Sequence, residues 1–315
     1  MSRFIVFASC HVNECGGIQV LHKLAKSLNK LGQDSYICPC DMRIPQGFNM
    51  LEINGSTLIS NLDIDKENDI VIYPEVIEGN PLEAKNCVRW ILCEPGQQSA
   101  DFSSSWGQND FIAVYGTCHS QRYGSIDNCN QLFVVDIHQN WTEKSKQNRH
   151  ATLLLTRKKE KFHQNAVDFH PEDALHLDKM CKTDEDYLVW YRRSSRLYSY
   201  DPYTFHNIIS SLAGCLSIIY PVSGLSREDW IKTYPYYSIM PRINGHLFFP
   251  GIAYGEDEIE LARQTASLLW PTILKLERFG ELTVERFIEG ALSHFNNISL
   301  THSFSMPPST STYTL

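Results

Sequence analysis

The sequence predicts an α/β protein made of two Rossmann-like halves joined by a polar linker. Three observations predict it. Residues 4–38 run through a strand-length apolar stretch, a glycine-containing loop, an amphipathic helix and a second strand, which is a β-loop-α-β unit. After a polar stretch ending near residue 150, the same order begins again. The chain's 315 residues exceed one ordinary core and suit two domains of common size.

Composition narrows the function classes. The formal net charge of -8 argues against a generic nucleic-acid surface, although a local basic pocket is compatible with it. The 10 cysteines are scattered, with no CxxC pair and no histidine at zinc spacing, so reduced thiols in a cytoplasmic protein are expected. The N-terminus has too few apolar residues for a signal peptide, and no run approaches the ~20 residues of a membrane span, so a soluble protein is expected.

In the first half, residues 4–8 form a continuous apolar strand leading into a polar loop that carries His11, Gly16 and Gly17. A helix is predicted from Ile18, because Leu21, Leu24, Ala25, Leu28 and Leu31 recur at three- and four-residue spacing until Gly32. No GxGxxG is present, so the dinucleotide fingerprint is absent. Buried-type strands follow at 69–73, 88–93 and 111–115, and each stops at a polar or turn-forming cluster: Pro74-Glu75, Glu94-Pro95-Gly96 and a loop holding His119. That pattern is what loops at the carboxyl edge of a parallel sheet look like, which makes Glu75, Glu94 and His119 candidate site groups. A further strand is predicted at 131–135, then a polar connection.

The second half opens with a strand at 151–156, followed directly by Arg157-Lys158-Lys159-Glu160-Lys161, the densest positive charge in an acidic chain. Apolar stretches at 174–177, 187–191 and 197–200 predict a smaller parallel sheet. Within 197–221, Tyr198 and Tyr200 lie in a β-prone run. Asp201-Pro202 then supplies an N-cap and a first-turn proline, and a helix carries Phe205, Ile208, Ile209 and Leu212 to Gly214. A helix N-terminus at the end of a strand is an anion site, so phosphate near Tyr203 and Thr204 is the candidate ligand. Ser226 to Asp229 resembles a capping box. A later helix running through Leu269 meets Pro271, where a kink or break is predicted, and a last helix is expected at 284–295. The Ser/Thr/Pro tail from 299 to 315 is expected to be disordered.

These residues together resemble GT-B glycosyltransferases, and most closely their retaining, GT4-like group. In GGIQVLHKLAKSLNKLGQDSYI, Gly16, Gly17, Leu24, Ala25 and Gly32 fit the family's first helix, while Gln33 and Asp34 replace its customary histidine and neighbour. Arg157 and Lys161, with Lys158 as a further choice, are the nearest counterparts of its Gly-x-Arg-x-x-x-x-Lys element, without the glycine and at shorter spacing. Residues 211–219 match in shape the back of its EGFGLPxxEAMAxGxPV segment, but both glutamates are absent.

The resemblance implies two facing Rossmann-like domains. Residues 1–140 would form the acceptor domain and 151–255 the donor-binding domain. The helices of 256–298, with a kinked C-terminal helix, would cross back to the first domain. It implies a hexosyl- or pentosyltransferase taking sugar from a nucleotide diphosphate sugar to a glycan, another hydroxyl acceptor or a modified nucleic-acid base, the last disfavoured by net charge. Gly16, Gly17, Arg157, Lys158, Lys161, Tyr200, Asp201, Tyr203 and Thr204 would line the donor site, with Asp201 meeting a sugar or ribose hydroxyl or only capping a helix. A retaining reaction would use the donor phosphate as base, whereas an inverting one would need a carboxylate or histidine, Glu94 or His11. No cofactor and no metal would be required, since basic residues neutralise the diphosphate; the DxD-like triplets 63–65 and 184–186 lie in polar stretches. The missing glutamates leave an alternative open, a catalytically inactive GT-B-like binding or partner subunit.

Overall fold

The computed structural model describes residues 2–10, 15–40, 57–96, 98–116, 130–135, 139–142, 149–163 and 168–303. The chain divides into two compact units, one of Met1–Val134 with Gly280–Leu315 and one of Val135–Phe279.

The first unit is built on a six-stranded sheet. Its strands are β1 (Phe4–Ala8), β2 (Ser35–Pro39), β3 (Thr57–Leu58), β4 (Ile70–Pro74), β5 (Asn86–Ile91) and β6 (Phe111–Val114), in the order β3-β2-β1-β4-β5-β6. Every pairing is parallel, with Phe4 registered against Ser35 on one side and Ile70 on the other. This is the strand order of the Rossmann fold. A strand buried on both faces must be apolar at every position, and β1 is.

Phe4, Val6 and Ala8 point to one face, where Leu24 and Leu28 of the helix Gly16–Lys30 cover them together with Phe287, Ala291 and Phe295 of the C-terminal helix. Ile5 and Phe7 point to the other, against Val71, Tyr73 and Leu82. Residues 131–135 do not form the predicted strand: only Gln131 bridges to Val114. The groups that would have made a ladder are engaged elsewhere. The Leu132 carbonyl accepts from Trp90 Nε1 at 3.0 Å, and Thr283 Oγ1 both accepts from the Phe133 amide (3.0 Å) and donates to its carbonyl (2.9 Å).

The second unit carries five parallel strands, β7 (Ala151–Leu155), β8 (Leu175–His176), β9 (Ser194–Ser199), β10 (Leu216–Ile219) and, after a hairpin, β13 (Ile252–Tyr254), in the order β13-β10-β9-β7-β8. Counted within the unit and read from the β8 edge, this is the 2-1-3-4-5 order of flavodoxin-like sheets, whose direction of winding reverses between β7 and β9. The hairpin joins β11 (Arg242–Ile243) to β12 (His246–Leu247) through Asn244-Gly245, both at positive φ. Asn-Gly is the sequence signature of that tight turn.

Two other elements differ from expectation. Residues 187–191 belong to a helix, Asp184–Arg193, not a strand, because Thr183 and Asp186 form a reciprocal capping box and Tyr187, Leu188 and Tyr191 share one buried face. The break near Pro271 falls upstream of it: the helix Ile259–Thr265 passes through a 3-10 turn, Ala266–Leu268, into one helix, Leu269–Ser303. Proline lacks the amide for an i to i−4 bond, so the chain restarts its helix where Pro271 falls in the first turn, which needs no such donor. That helix runs unbroken through 284–295 and past residue 299; 304–315 lie outside the described residues. Its residues to Phe279 group with the second unit and those from Gly280 with the first.

Among the described residues no helix is long and apolar enough to cross a membrane, and the eight described cysteines form no disulfide.

Candidate functional site

In doubly wound sheets, ligands bind beyond the carboxyl ends of the strands where the winding reverses, since the adjoining loops diverge there and leave a crevice. In the second unit that point lies between β7 and β9. The connection after β7 carries the basic run 157–161, which enters the short helix Lys159–Phe162, and the loop after β9 is residues 200–204.

Arg157 is the best-anchored cation of the run. The Asp178 carboxylate accepts from the Thr156 amide at 3.1 Å and from Arg157 Nε at 2.6 Å, fixing the start of the loop. Arg157 Nη2 donates to the Tyr187 hydroxyl at 2.6 Å, and its guanidinium carbon lies 5.5 Å from that ring's centroid. Its Nη1 reaches His206 Nε2 at 3.5 Å, and the side chain keeps 33% of its surface in solvent. Behind it, the Tyr191 hydroxyl lies 2.9 Å from His206 Nδ1, and the His206 and Tyr187 rings are 4.4 Å apart. Burial, with the Arg157 charge adding to it, pushes His206 down to about 3, so the imidazole is neutral.

Lys158 adopts φ +56, the left-handed region that favours glycine, and its Nζ pairs with Asp201 Oδ2 at 2.9 Å. The lysine is half exposed while the Asp201 side chain is only 3% exposed. Lys159 pairs with Asp168, and its Nζ lies 4.7 Å from the Tyr200 ring centroid. Lys161 is exposed, with Nζ 5.4 Å from the ring centroid of its neighbour Phe162. Three cations of the run are thus matched by carboxylates from other loops and helices.

The loop after β9 is corrected in one respect. Asp201 does not cap the helix, which begins at His206 behind an N-cap Phe205 without a side-chain cap bond. Asp201 instead accepts from the Tyr203 amide at 3.0 Å, closing a turn. Its own carbonyl takes Asn207 Nδ2 at 3.0 Å, and the Pro202 carbonyl takes Trp230 Nε1 (3.2 Å) and the Tyr234 hydroxyl (2.8 Å). These tertiary bonds hold residues 201–204 as a turn, and Thr204 Oγ1 accepts from the His206 amide at 3.4 Å.

Tyr200 is wholly buried. Its hydroxyl accepts from the Phe169 amide at 3.2 Å and lies 2.9 Å from His170 Nδ1, while His163 Nε2 donates to its carbonyl at 2.9 Å. Tyr203 is exposed and meets Phe162 edge to face at 5.5 Å.

The structure therefore brings Lys158 to Asp201 and the basic loop to Tyr203, while Arg157 turns to partners that sequence reasoning missed: Asp178, Tyr187 and His206. The spacing of Tyr187 and Tyr191, one helical turn apart, was the signal available for part of that set.

In the first unit the winding reverses between β1 and β4. Gly16 and Gly17 open the helix after β1 behind Cys15, with no side-chain cap bond. A Cβ at Gly16 would meet no described atom within 4 Å, and one at Gly17 would meet only Leu92 Cδ1 at 3.9 Å, so packing does not demand glycine at either position. Glu75, just past β4, is buried and accepts from the Leu92 amide at 3.0 Å; burial raises its pKa above the ordinary carboxylate value. Glu94 lies past β5 in the loop 92–96 and is partly exposed. His22 on the first helix is buried, donates from Nε2 to the Ser9 carbonyl at 2.9 Å and braces the loop after β1. His11 and His119 lie outside the described residues.

No protein-family model and no curated protein matches the chain. Among solved structures it is similar to T4 phage BGT in complex with UDP and Mn2+, at 9% identity and a TM-score of 0.45, over 92% of this chain and 99% of that one. It is also similar to the spinosyn forosaminyltransferase SpnP, at 10% identity and a TM-score of 0.35, over 96% of this chain and 99% of that one. At these values neither likeness adds to what the strand orders show about the fold. The expectation of a reaction without metal is corrected: the phage protein is in complex with Mn2+ as well as UDP, so likeness to such proteins does not imply metal independence. Among the described residues no group of three or more His, Cys, Asp or Glu side chains forms a cage for a metal ion.

Proposed function

We propose that the chain is a glycosyltransferase that takes a sugar from a nucleotide diphosphate sugar, with the donor diphosphate bound beyond β7 and β9. The observation that carries this reading is the coincidence of the chain's densest basic run with the winding reversal of the second sheet. The glycosidic bond breaks by leaving its electron pair, and hence growing charge, on the diphosphate. An arginine fork held in place before the reaction stabilises that charge without reorganising. Arg157 suits the task because Asp178 and Tyr187 hold part of its guanidinium while the rest reaches solvent. Lys158 suits a second contact, since its half-exposed ammonium stands at the solvent side of its pair with the buried Asp201 carboxylate.

Gly16 and Gly17 support a donor- or acceptor-side role in the first unit, because nothing within the described fold requires their lack of a side chain. Glu94 and His11 keep the base role if the reaction inverts, and the donor phosphate takes it if the reaction retains. A glycan or another hydroxyl compound is the proposed acceptor. Tyr200 has no direct donor contact in this reading, because its ring and hydroxyl are committed to the interior.

The test is a thermal-shift titration of the full chain with UDP, GDP, CMP and dTDP, followed by turnover of matching nucleotide sugars. One nucleotide should raise the melting temperature, increasingly with the logarithm of its concentration above its dissociation constant, and Arg157→Ala should reduce that rise by at least half. No rise with any nucleotide would refute the donor site. A rise without hydrolysis or transfer would favour the inactive binding subunit, the reading that the absent motif glutamates support.

A further inference from the structure

We infer that His206 is a positioning residue for Arg157: as a neutral acceptor at the end of a Tyr191–His206–Arg157 chain, it aims the guanidinium at the donor diphosphate. This rests on the donor reading given above. An arginine cannot accept a hydrogen bond, so in the 3.5 Å contact Nη1 donates and His206 Nε2 must be unprotonated. The imidazole proton then resides on Nδ1, where it donates to the Tyr191 hydroxyl at 2.9 Å. Tyr191 is fully buried, and its hydroxyl can accept that proton.

Three groups from three elements hold the one guanidinium. Asp178, from the helix Leu177–Met180, takes Nε. Tyr187, from Asp184–Arg193, takes Nη2, and His206, from His206–Leu212, takes Nη1. Asp178 supplies charge, whereas Tyr187 and His206 supply only direction. The Tyr187 ring, tilted 37° against His206 at 4.4 Å, packs on one side of the imidazole whose Nε2 faces the arginine. A protonated imidazole at this place would set a second cation against Arg157. The site therefore needs an acceptor that stays neutral, and a lysine or arginine at 206 would disrupt it.

The test compares His206→Gln, whose side-chain carbonyl can reach the Nε2 position, with His206→Leu, which fills similar space without an acceptor. UDP serves as the probe, with affinity read by titration and folding checked by circular dichroism. The expected result is a fall in UDP affinity of about tenfold for His206→Leu, near that of Arg157→Ala, with affinity restored to within about threefold of the parent by His206→Gln. A folded His206→Leu chain that binds UDP like the parent, while Arg157→Ala loses it, overturns the inference and leaves the donor reading intact. Unchanged UDP binding in Arg157→Ala overturns the donor reading itself. Should His206→Leu not fold, nitrogen-15 histidine NMR of the parent chain decides: a Nδ1-protonated, Nε2-bare imidazole at neutral pH supports the inference, and the opposite tautomer or an imidazolium refutes it.

Discussion

Lys158 shows how one residue can carry two separable effects. Its φ of +56 strains any side-chain-bearing residue by about 1 kcal/mol, and its ammonium group pairs with Asp201. Replacing it with glycine removes the charge and the strain together, whereas alanine removes the charge and keeps the strain. Lys158→Ala should therefore be less stable than Lys158→Gly by about 1 kcal/mol in urea unfolding, while both weaken UDP binding to the same degree. Equal stability of the two would mean that the left-handed geometry is not imposed on this residue.

The same residue marks what the sequence could reveal about the site. A charge run directly after an apolar strand is legible, because both features are local. Its partners are not. Asp178 is 21 residues from Arg157 and His206 is 49, and nothing in either neighbourhood announces a pairing that only the folded sheet creates. Asp201 read as a helix cap and not as the anion for Lys158, and the helix it was expected to cap begins later, behind a turn held by tertiary bonds from Trp230 and Tyr234.

At the scale of elements, the parallel strands were the easiest to read, because buried strands are continuous apolar runs bounded by turn residues. The helix Asp184–Arg193 was harder. Its apolar residues 187–191 form one continuous run of strand length, and Thr183 with Asp186 was the cue that should have outweighed them. The Asn244-Gly245 hairpin was likewise present in the sequence as a turn signature. The end of the helix His206–Leu212 supports a sharper expectation. Gly214 sits at φ +85, and a Cβ there would lie 2.9 Å from Arg149 Nη2. That guanidinium holds the Ala213 carbonyl at 2.7 Å and the Tyr191 carbonyl at 3.1 Å, tying off two helix ends at once. Gly214→Ala should cost about 1–3 kcal/mol, from left-handed strain and from displacing the arginine. Combining it with Arg149→Ala should give a loss smaller than the sum of the two single losses, since both break the same bonds. Strict additivity in urea unfolding would separate Gly214 from the Arg149 clip.

At the scale of the whole molecule, two parallel sheets with different strand orders each create one winding reversal, and Gly16-Gly17 and the basic run 157–161 follow strands that flank those two places. The histidines that brace these loops share an electrostatic consequence. Burial holds His22 beside the first reversal, and His163, His170 and His206 beside the second, below the ordinary imidazole value, and takes His206 to about 3. In the unfolded chain the same groups protonate near 6.5. Between 6.5 and the folded values the unfolded state binds more protons, so the stability these neutral histidines contribute is present above about pH 6.5 and is lost as pH falls. Glu75 and Glu258 act in the opposite sense, because burial raises their folded values above 4.5; the folded state takes up their protons first, and acidification toward 4.5 favours it. The histidine window opens at higher pH. The melting temperature should therefore fall between pH 7 and pH 5 and flatten as the two carboxyl groups titrate. His206→Gln removes the group with the widest window, so its melting curve should depend less steeply on pH over that range than the parent's. An identical slope in the two chains would show that His206 protonates alike in the folded and unfolded states, contrary to its burial beside Arg157.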